Sequence, residues 1–374
     1  MWQTKGRAKN INKSIIAPYS RRKSIMNWLH PHVIRPVTAP NEKFKFAGIS
    51  SLSDVNVTFP IVYDLKPEIL DEIHEGDILK ITSDGVIQRL FDCTSDQNAL
   101  FMTEYCNSRC MMCPQPQMPC DHSDEVMNLL QCIPKDGLHR ICLTGGEPTL
   151  GKKLFEVLQK LKEFPYVEPV MLTNGRKFSD PAFARQVVAN APFNMEYAIP
   201  LYSTIPAVHN EIVGCEGAFQ ETILGIYNLT RFRVPIELRV VLTKKNAFNL
   251  AALAEFIGWN LPMVVHVAFM GLEVYGRANA NVSDVWIEPA DYMKNLMKAV
   301  KILDYRNIHV SIYNLPLCLL PVELRKYSQL SISTWKQGYT PQCQNCVVKN
   351  RCNGIFTTSS IVPKGISPIM ESSI

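Results

Sequence analysis

The 374-residue chain has no apolar run approaching the roughly 18 residues that a membrane span requires. Its N-terminal stretch is basic but lacks a continuous apolar core and a small-residue cleavage site, which argues against a secretory signal and for a cytoplasmic protein. Internal repeats and low-complexity blocks are missing. Net charge is only +5, which gives no ground for a nucleic-acid partner, and no membrane partner is expected. Acidic residues are absent from residues 1–25, which carry Lys5, Arg7, Lys9, Lys13, Arg21, Arg22 and Lys23. Such a segment reads first as a solvated, loosely ordered extension, and second as a contact for an acidic partner. An apolar fraction of 47% is ordinary for a folded protein and excludes wholesale disorder.

What the chain has in abundance is cysteine. There are 12, and two tight groups hold six of them: Cys106, Cys110 and Cys113, then Cys343, Cys346 and Cys352. A disulfide framework would spread them. In a chain this long, clustering points to metal or catalysis in a reducing compartment.

Residues 1–45 read as a loosely ordered lead-in, and 46–98 as a small β-rich module. Alternation in FKFAGI, DVNVTFPIVY, GDILKIT and GVIQRLF, with turns at Glu75-Gly76-Asp77 and Ser83-Asp84-Gly85, predicts short antiparallel strands there. Over 99–305 the rhythm changes. Six apolar runs (ALFMTE, HRICLTG, VEPVMLTNG, FNMEYAIPLYS, PIELRVVLT and MVVHVAFMG) alternate with amphipathic stretches near 122–133, 150–164, 179–190, 217–231, 248–258 and 289–304. Strand–helix alternation implies an α/β protein with a parallel sheet, and six units make a partial (β/α)6 barrel of TIM type. Functional residues of such barrels sit at the C-terminal ends of the strands. The cysteine group, GGEP and TNG follow the first, second and third runs. Residues 306–374 read as a separate, cysteine-rich C-terminal extension.

The first group lies in TEYCNSRCMMCPQP with C-x3-C-x2-C spacing. Thiolates suit iron–sulfur clusters and zinc alike. Structural zinc normally closes its shell with four protein ligands, whereas three cysteines leave one iron of a 4Fe-4S cluster open. A zinc knuckle, or three unrelated thiols, is the competing reading. The second motif, CLTGGEPT at 142–149, follows Cys113 by about 30 residues, at the exit of a strand. Gly145 and Gly146 allow close backbone approach, Glu147 supplies an acceptor for an ammonium group, and the segment is expected to enter a helix.

The conjunction of this spacing with GGEP inside a βα rhythm resembles the radical S-adenosylmethionine (AdoMet) superfamily. The resemblance implies a 4Fe-4S cluster on Cys106, Cys110 and Cys113, with AdoMet bound at the open iron. It also implies that Gly145, Gly146, Glu147 and Pro148 contact the methionine portion and that Thr173 and Asn174 reach the cofactor. Ser203 and Arg239 are further candidates for the ribose or carboxylate, against the readings of a turn hydroxyl and a barrel-end ion pair. One departure stands out. Related peptide-modifying enzymes often carry arginine four residues after a histidine in this region, but here His209 is followed at that spacing by Val213.

NLPLCLLP with Cys318, followed by CQNCVVKNRCNGIF with Cys343, Cys346 and Cys352, resembles the auxiliary-cluster (SPASM or twitch type) extensions of the same superfamily. That implies a second 4Fe-4S cluster with Cys318 as remote fourth ligand. A structural zinc ribbon is the alternative. Among the other cysteines, Cys142 reads as a core residue, and Cys120 as an ordinary loop residue rather than part of the site mouth. His139, His209 and His266 read as structural, and no catalytic side chain is singled out, Tyr202 included.

Taken together, GDILKIT, NALFMTEYCNSRCMMCPQP, LTGGEPTL and NLPLCLLP resemble the radical maturases of the His-Xaa-Ser system, subgroup C, over nearly the whole chain from about residue 46. The resemblance implies modification of a small ribosomally made peptide alongside a second radical maturase, with flavodoxin or ferredoxin as electron donor. Two other readings stand beside it: a radical enzyme acting on a small molecule or folded protein, and a non-catalytic zinc-binding interaction protein.

Overall fold

A computed structural model of the protein describes residues 2–21, 33–42, 46–96, 98–115 and 117–371. Arg22 and Lys23 of the basic stretch, the first residues of FKFAGI and Pro116 of PQP lie outside the described residues. The chain forms two compact units. One comprises Met1–Phe101, His122–Cys142 and Glu156–Glu168, and the other Met102–Asp121, Leu143–Phe155 and Pro169–Ile374.

The first unit contains β1 (Gln3–Lys5), β2 (Arg7–Lys9), β3 (Ile15–Pro18), β4 (Ile34–Pro36), β5 (Ala47–Ile49), β6 (Ile61–Tyr63), β7 (Ile78–Ile81) and β8 (Val86–Phe91). They form two four-stranded sheets, of order β1-β8-β7-β3 and β2-β6-β5-β4. The expectation of a loosely ordered lead-in is therefore corrected: β1 pairs antiparallel with β8, β2 with β6, and β3 with β7. The physical reason is plain in β1. Its side chains stay largely in solvent while its backbone pairs, so no hydrophobic alternation marks it. Tyr19, Ile34, Ile49, Leu79, Ile81 and Ile87 are buried together at the centre of this unit.

The six apolar runs appear as β9 (Ala99–Phe101), β10 (Arg140–Thr144), β11 (Glu168–Leu172), β12 (Glu196–Pro200), β13 (Ile236–Val241) and β14 (His266–Met270). A seventh strand, β15 (His309–Tyr313), completes a sheet whose strands follow one another in chain order. From β11 to β15 every neighbouring pair is parallel. The sheet thus runs past residue 305, because β15 continues the register from Met270 to Tyr313. Helices Leu154–Leu161, Pro181–Asn190, Ala218–Thr230, Leu250–Asn260 and Pro289–Tyr305 occupy the expected amphipathic stretches, and Pro206–Val213 is an additional one. The fold is an α/β partial barrel.

Alternation along the strands separates two faces. Tyr197, Ile199, Leu238, Val240, Val267, Phe269, Val310 and Ile312 are sealed in the apolar core. Pro200, Arg239, Val241, Met270 and Tyr313, on the opposite face, are only half-buried. The C-terminal extension carries little regular structure beyond β16 (Gln337–Gly338), paired antiparallel with β17 (Ile355–Phe356). No helix among the described residues is long and apolar enough to cross a membrane.

Candidate metal and cofactor site

The loop that follows β9 is fixed from two sides. On one, Met102 donates to the Thr144 carbonyl (2.8 Å), Gly146 to Thr103 (2.7 Å) and Glu147 to Tyr105 (2.7 Å), so GGEP runs beside the chain leading into Cys106. Gly145 has φ +148°, and a Cβ at either Gly145 or Gly146 would strike the backbone of Thr103–Tyr105. On the other side, the Arg109 and Met111 amides donate to Val213 and Ile212 (2.8 and 2.9 Å), satisfying the last carbonyls of helix Pro206–Val213. The Arg277 amide bonds the Cys113 carbonyl (3.0 Å), and Asn281 Nδ2 bonds that of Met111 (3.0 Å).

These anchors bring Cys106, Cys110 and Cys113 to one space. Burial, then the neighbouring sulfurs of Cys113 and Cys106, pushes the Cys110 thiol up to about 12. Burial lifts Cys106 to about 11, and Cys113 also rises for the same reason. Three such thiols stay protonated unless a cation compensates them, which is what a thiolate-bound metal does. Among the described residues no three of these sulfurs lie within 4.8 Å of one another. A single zinc ion with Zn–S bonds of about 2.3 Å would need them closer, whereas an iron–sulfur cluster spreads its ligands. The donor set fits a cluster.

Glu147 is 1% exposed. Its Oε2 accepts from the Asn174 amide (2.7 Å), and Oε1 accepts from the Thr149 amide (3.1 Å), Thr149 Oγ1 (2.7 Å) and Thr173 Oγ1 (2.7 Å). Burial raises its pKa, and these donors pull it back. Four protein donors meet this carboxylate, which braces the ends of β10 and β11. Pro148 is buried at the start of a 3-10 turn, Pro148–Leu150. Asn174 turns toward the cysteine loop: its Nδ2 donates to Asn107 Oδ1 (2.6 Å) and reaches Ser108 Oγ (3.5 Å) and Cys106 Sγ (4.0 Å).

Ser203 and Arg239 each have partners within the protein. Ser203 Oγ accepts from the Ile205 amide (3.0 Å) in a turn. Arg239 Nε pairs with Glu237 Oε1 (2.5 Å), while Glu237 Oε2 meets His266 Nδ1 (2.6 Å). Tyr202 is buried against Met112 and Ile212. Its hydroxyl is pushed well above its ordinary pKa by burial and then by Cys110 and Cys113.

Sequence reasoning missed Arg176. Only 9% exposed, it pairs with Glu221 Oε2 (2.5 Å) and donates through Nη1 to the Asn107 carbonyl and to Ser108 Oγ (3.1 Å). It therefore grips the residues between Cys106 and Cys110. Its position directly after TNG was the available signal.

The C-terminal group also converges. Cys318, Cys343, Cys346 and Cys352 line one cavity. Cys352 Sγ accepts from the Leu317 and Gly354 amides (3.3 and 3.4 Å), and Cys346 Sγ from Ile369 (3.4 Å). Thr340 Oγ1 lies 3.5 Å from Cys343 Sγ. Burial raises the Cys318 and Cys352 thiols. The Cys120 carbonyl accepts from the Glu104 amide (2.8 Å) and Thr103 Oγ1 (3.0 Å), and its thiol lies within 4.8 Å of ligand atoms of Glu104 and His122.

The described residues thus form an α/β partial barrel with a three-cysteine loop at the C-terminal end of a strand, and known proteins resemble the chain over part of its length. No family model matches the chain. It is 27% identical over 179 residues to a probable GTP 3′,8-cyclase of Saccharolobus solfataricus, which covers 46% of this chain and 56% of the relative. It is 29% identical over 160 residues to the corresponding protein of Sulfurisphaera tokodaii, covering 41% and 50%. The chain thus spans about half the length of the curated relatives it matches. Among solved structures, Streptococcus suis SuiB bound to S-adenosylmethionine aligns over 65% of this chain and 55% of its own, at TM-score 0.48 and 16% identity. Escherichia coli coproporphyrinogen III oxidase (HemN), described as a radical SAM enzyme, aligns over 56% and 52%, at TM-score 0.41 and 13% identity.

Proposed function

We propose that the chain is a radical AdoMet enzyme that matures a ribosomally made peptide, with Cys106, Cys110 and Cys113 holding a 4Fe-4S cluster open to AdoMet. The observation that carries the chemistry is the convergence of Cys106, Asn174 and Glu147: the cysteine loop, the GGEP turn and the TNG strand end are hydrogen-bonded into one rim. Cys106, Cys110 and Cys113 would hold the cluster, which when bound and reduced would supply the electron for reductive cleavage of AdoMet. The chain's part is to hold and shield. Glu147 and Arg176 fix the rim, the helix end at Ile212–Val213 backs the loop, and Tyr202 and Met112 close its floor against water. Cys318, Cys343, Cys346 and Cys352 fit a second, closed cluster. Their sulfurs also fail to close within 4.8 Å among the described residues, which disfavours a single zinc ion.

The peptide substrate rests on the resemblance of the cysteine-loop and tail motifs to His-Xaa-Ser maturases. It carries with it a second maturase as partner, a flavodoxin or ferredoxin donor and a cytoplasmic location. A second reading has its own support: the sequence relatives carry the name of an enzyme acting on GTP, so a small-molecule substrate of nucleotide type is the alternative.

The test is anaerobic incubation of the reduced, iron-loaded protein with AdoMet. 5′-Deoxyadenosine should form, and Cys110→Ala should abolish it. A colourless protein holding zinc and producing none would overturn the assignment. Stimulation of that product by GTP would favour the nucleotide reading; stimulation by a short peptide bearing His-Xaa-Ser repeats would favour peptide maturation.

A further inference from the structure

Two donors to the C-terminal sulfurs come from a segment that no cysteine motif includes. In Ser367-Pro368-Ile369, the Ile369 amide donates to Cys346 Sγ at 3.4 Å, while Ser367 lines the same cavity as Cys318 and its amide favours the Cys318 thiolate. Pro368, with no N–H of its own, stands between them. The Ile366 and Ile369 side chains line the same cavity. The segment is tied down along its length. Ser360 donates to the Val274 carbonyl (3.0 Å) and Lys364 to Glu288 Oε2 (3.0 Å), while Val347 donates to the Ile369 carbonyl (3.0 Å).

We propose that Ser367 and Ile369 are positioning residues whose backbone N–H groups set the reduction potential of the group held by Cys318, Cys343, Cys346 and Cys352. The proposal rests on the auxiliary-cluster reading above. Reduction of a cluster places one more negative charge on its irons and sulfurs. An N–H aimed at a ligand sulfur stabilises that added charge and moves the potential upward. Leu317 and Gly354 do the same for Cys352, but they belong to the chain around the cysteines themselves. Residues 366–369 bring their donors from farther along the chain, so these can be removed without altering a ligand or its neighbours.

The experiment uses the full chain carrying Cys106→Ala and Cys110→Ala, reconstituted anaerobically with iron and sulfide, so that only the C-terminal site is loaded. Midpoint potentials are read by EPR-monitored titration, with iron and sulfide counted for each protein. Ile369→Pro and Ser367→Pro each delete one N–H, while Ile369→Ala and Ser367→Ala keep it. The expected result is a downward shift of the midpoint in both proline variants, unchanged iron content, and alanine variants at the parent value. Equal midpoints in all variants, or equal shifts for alanine and proline, overturn the proposal. Iron loss confined to the proline variants also overturns it, because the amides would then hold the site together rather than tune it. A parent without iron and sulfide at this site overturns the cluster reading itself, which separates the two failures.

Discussion

The Asn174 amide donates to Glu147 Oε2 across 2.7 Å, joining the end of β11 to the GGEP turn after β10. Both carboxylate oxygens of Glu147 act as acceptors, so an amide in its place must turn its NH2 toward either Asn174 or the Thr149–Thr173 pair. Glu147→Gln should therefore lower stability by about 1–3 kcal/mol through one donor–donor conflict in a buried site. Urea unfolding measures the loss. Unchanged stability would show that the brace is unimportant.

Arg176 should govern the grip on the cysteine loop more than the fold. Glu221, its ionic partner, is 41% exposed, so that ion pair contributes little, and the bonds to Asn107 and Ser108 matter more. Arg176→Met should cost about 1–2 kcal/mol in stability. It should also speed chelator extraction of iron from the first site while leaving the C-terminal site untouched. Equal extraction rates for parent and variant would refute the assignment.

His209 should give stability a pH dependence. Burial, then the charge of Arg176, pushes its pKa down to about 4, and its Nδ1 accepts the Tyr202 amide (3.3 Å) as a neutral ring. The unfolded chain, with an ordinary histidine pKa near 6.5, binds the proton first as pH falls. Stability therefore declines as pH drops from about 6.5 to about 4, by up to about 3 kcal/mol. In His209→Gln, which retains an acceptor, that part of the slope should vanish. Parallel stability–pH curves for parent and variant would contradict this.

Gly146 and Gly217 offer a contrast in backbone space. A Cβ on Gly146 meets the carbonyls of Tyr105 and Glu104, whereas one on Gly217 meets nothing within 4 Å, although φ there is +75°. Gly217→Ala should cost about 1 kcal/mol from the left-handed backbone alone. Gly146→Ala should cost about 1–3 kcal/mol and deform the loop that carries Cys106, read as a lower iron content after reconstitution. The reverse order of effects would argue against close packing of GGEP on that loop.

Much of the barrel and its site could be read in advance because both leave periodic or spaced marks. β9 to β14 announce themselves as apolar runs, and the two cysteine groups as fixed intervals. β15 is not legible as an apolar run because His309 and Ser311 interrupt it, sharing the half-polar face with Tyr313. Strands β1 and β2 pair through backbone while showing polar side chains, so composition disguised them as a tail. Arg239 and Ser203 were candidates on position alone. Which partner a side chain chooses depends on neighbours brought in from other strands, such as Glu237 and His266 around Arg239. The same holds for Arg176, whose partners Asn107, Ser108 and Glu221 are distant in sequence.

The amides of Arg109 and Met111 serve as the terminal cap of helix Pro206–Val213, and Gly214, at φ +64°, ends that helix directly against the Arg109 backbone. The interval between Cys106 and Cys113 is consequently answerable to two masters: the ligand geometry on one side and the pitch of a neighbouring helix on the other. Inserting or removing one residue there would leave two carbonyls bare even if every sulfur found its place. The spacing of this motif is in that sense a piece of helix chemistry as well as of metal chemistry.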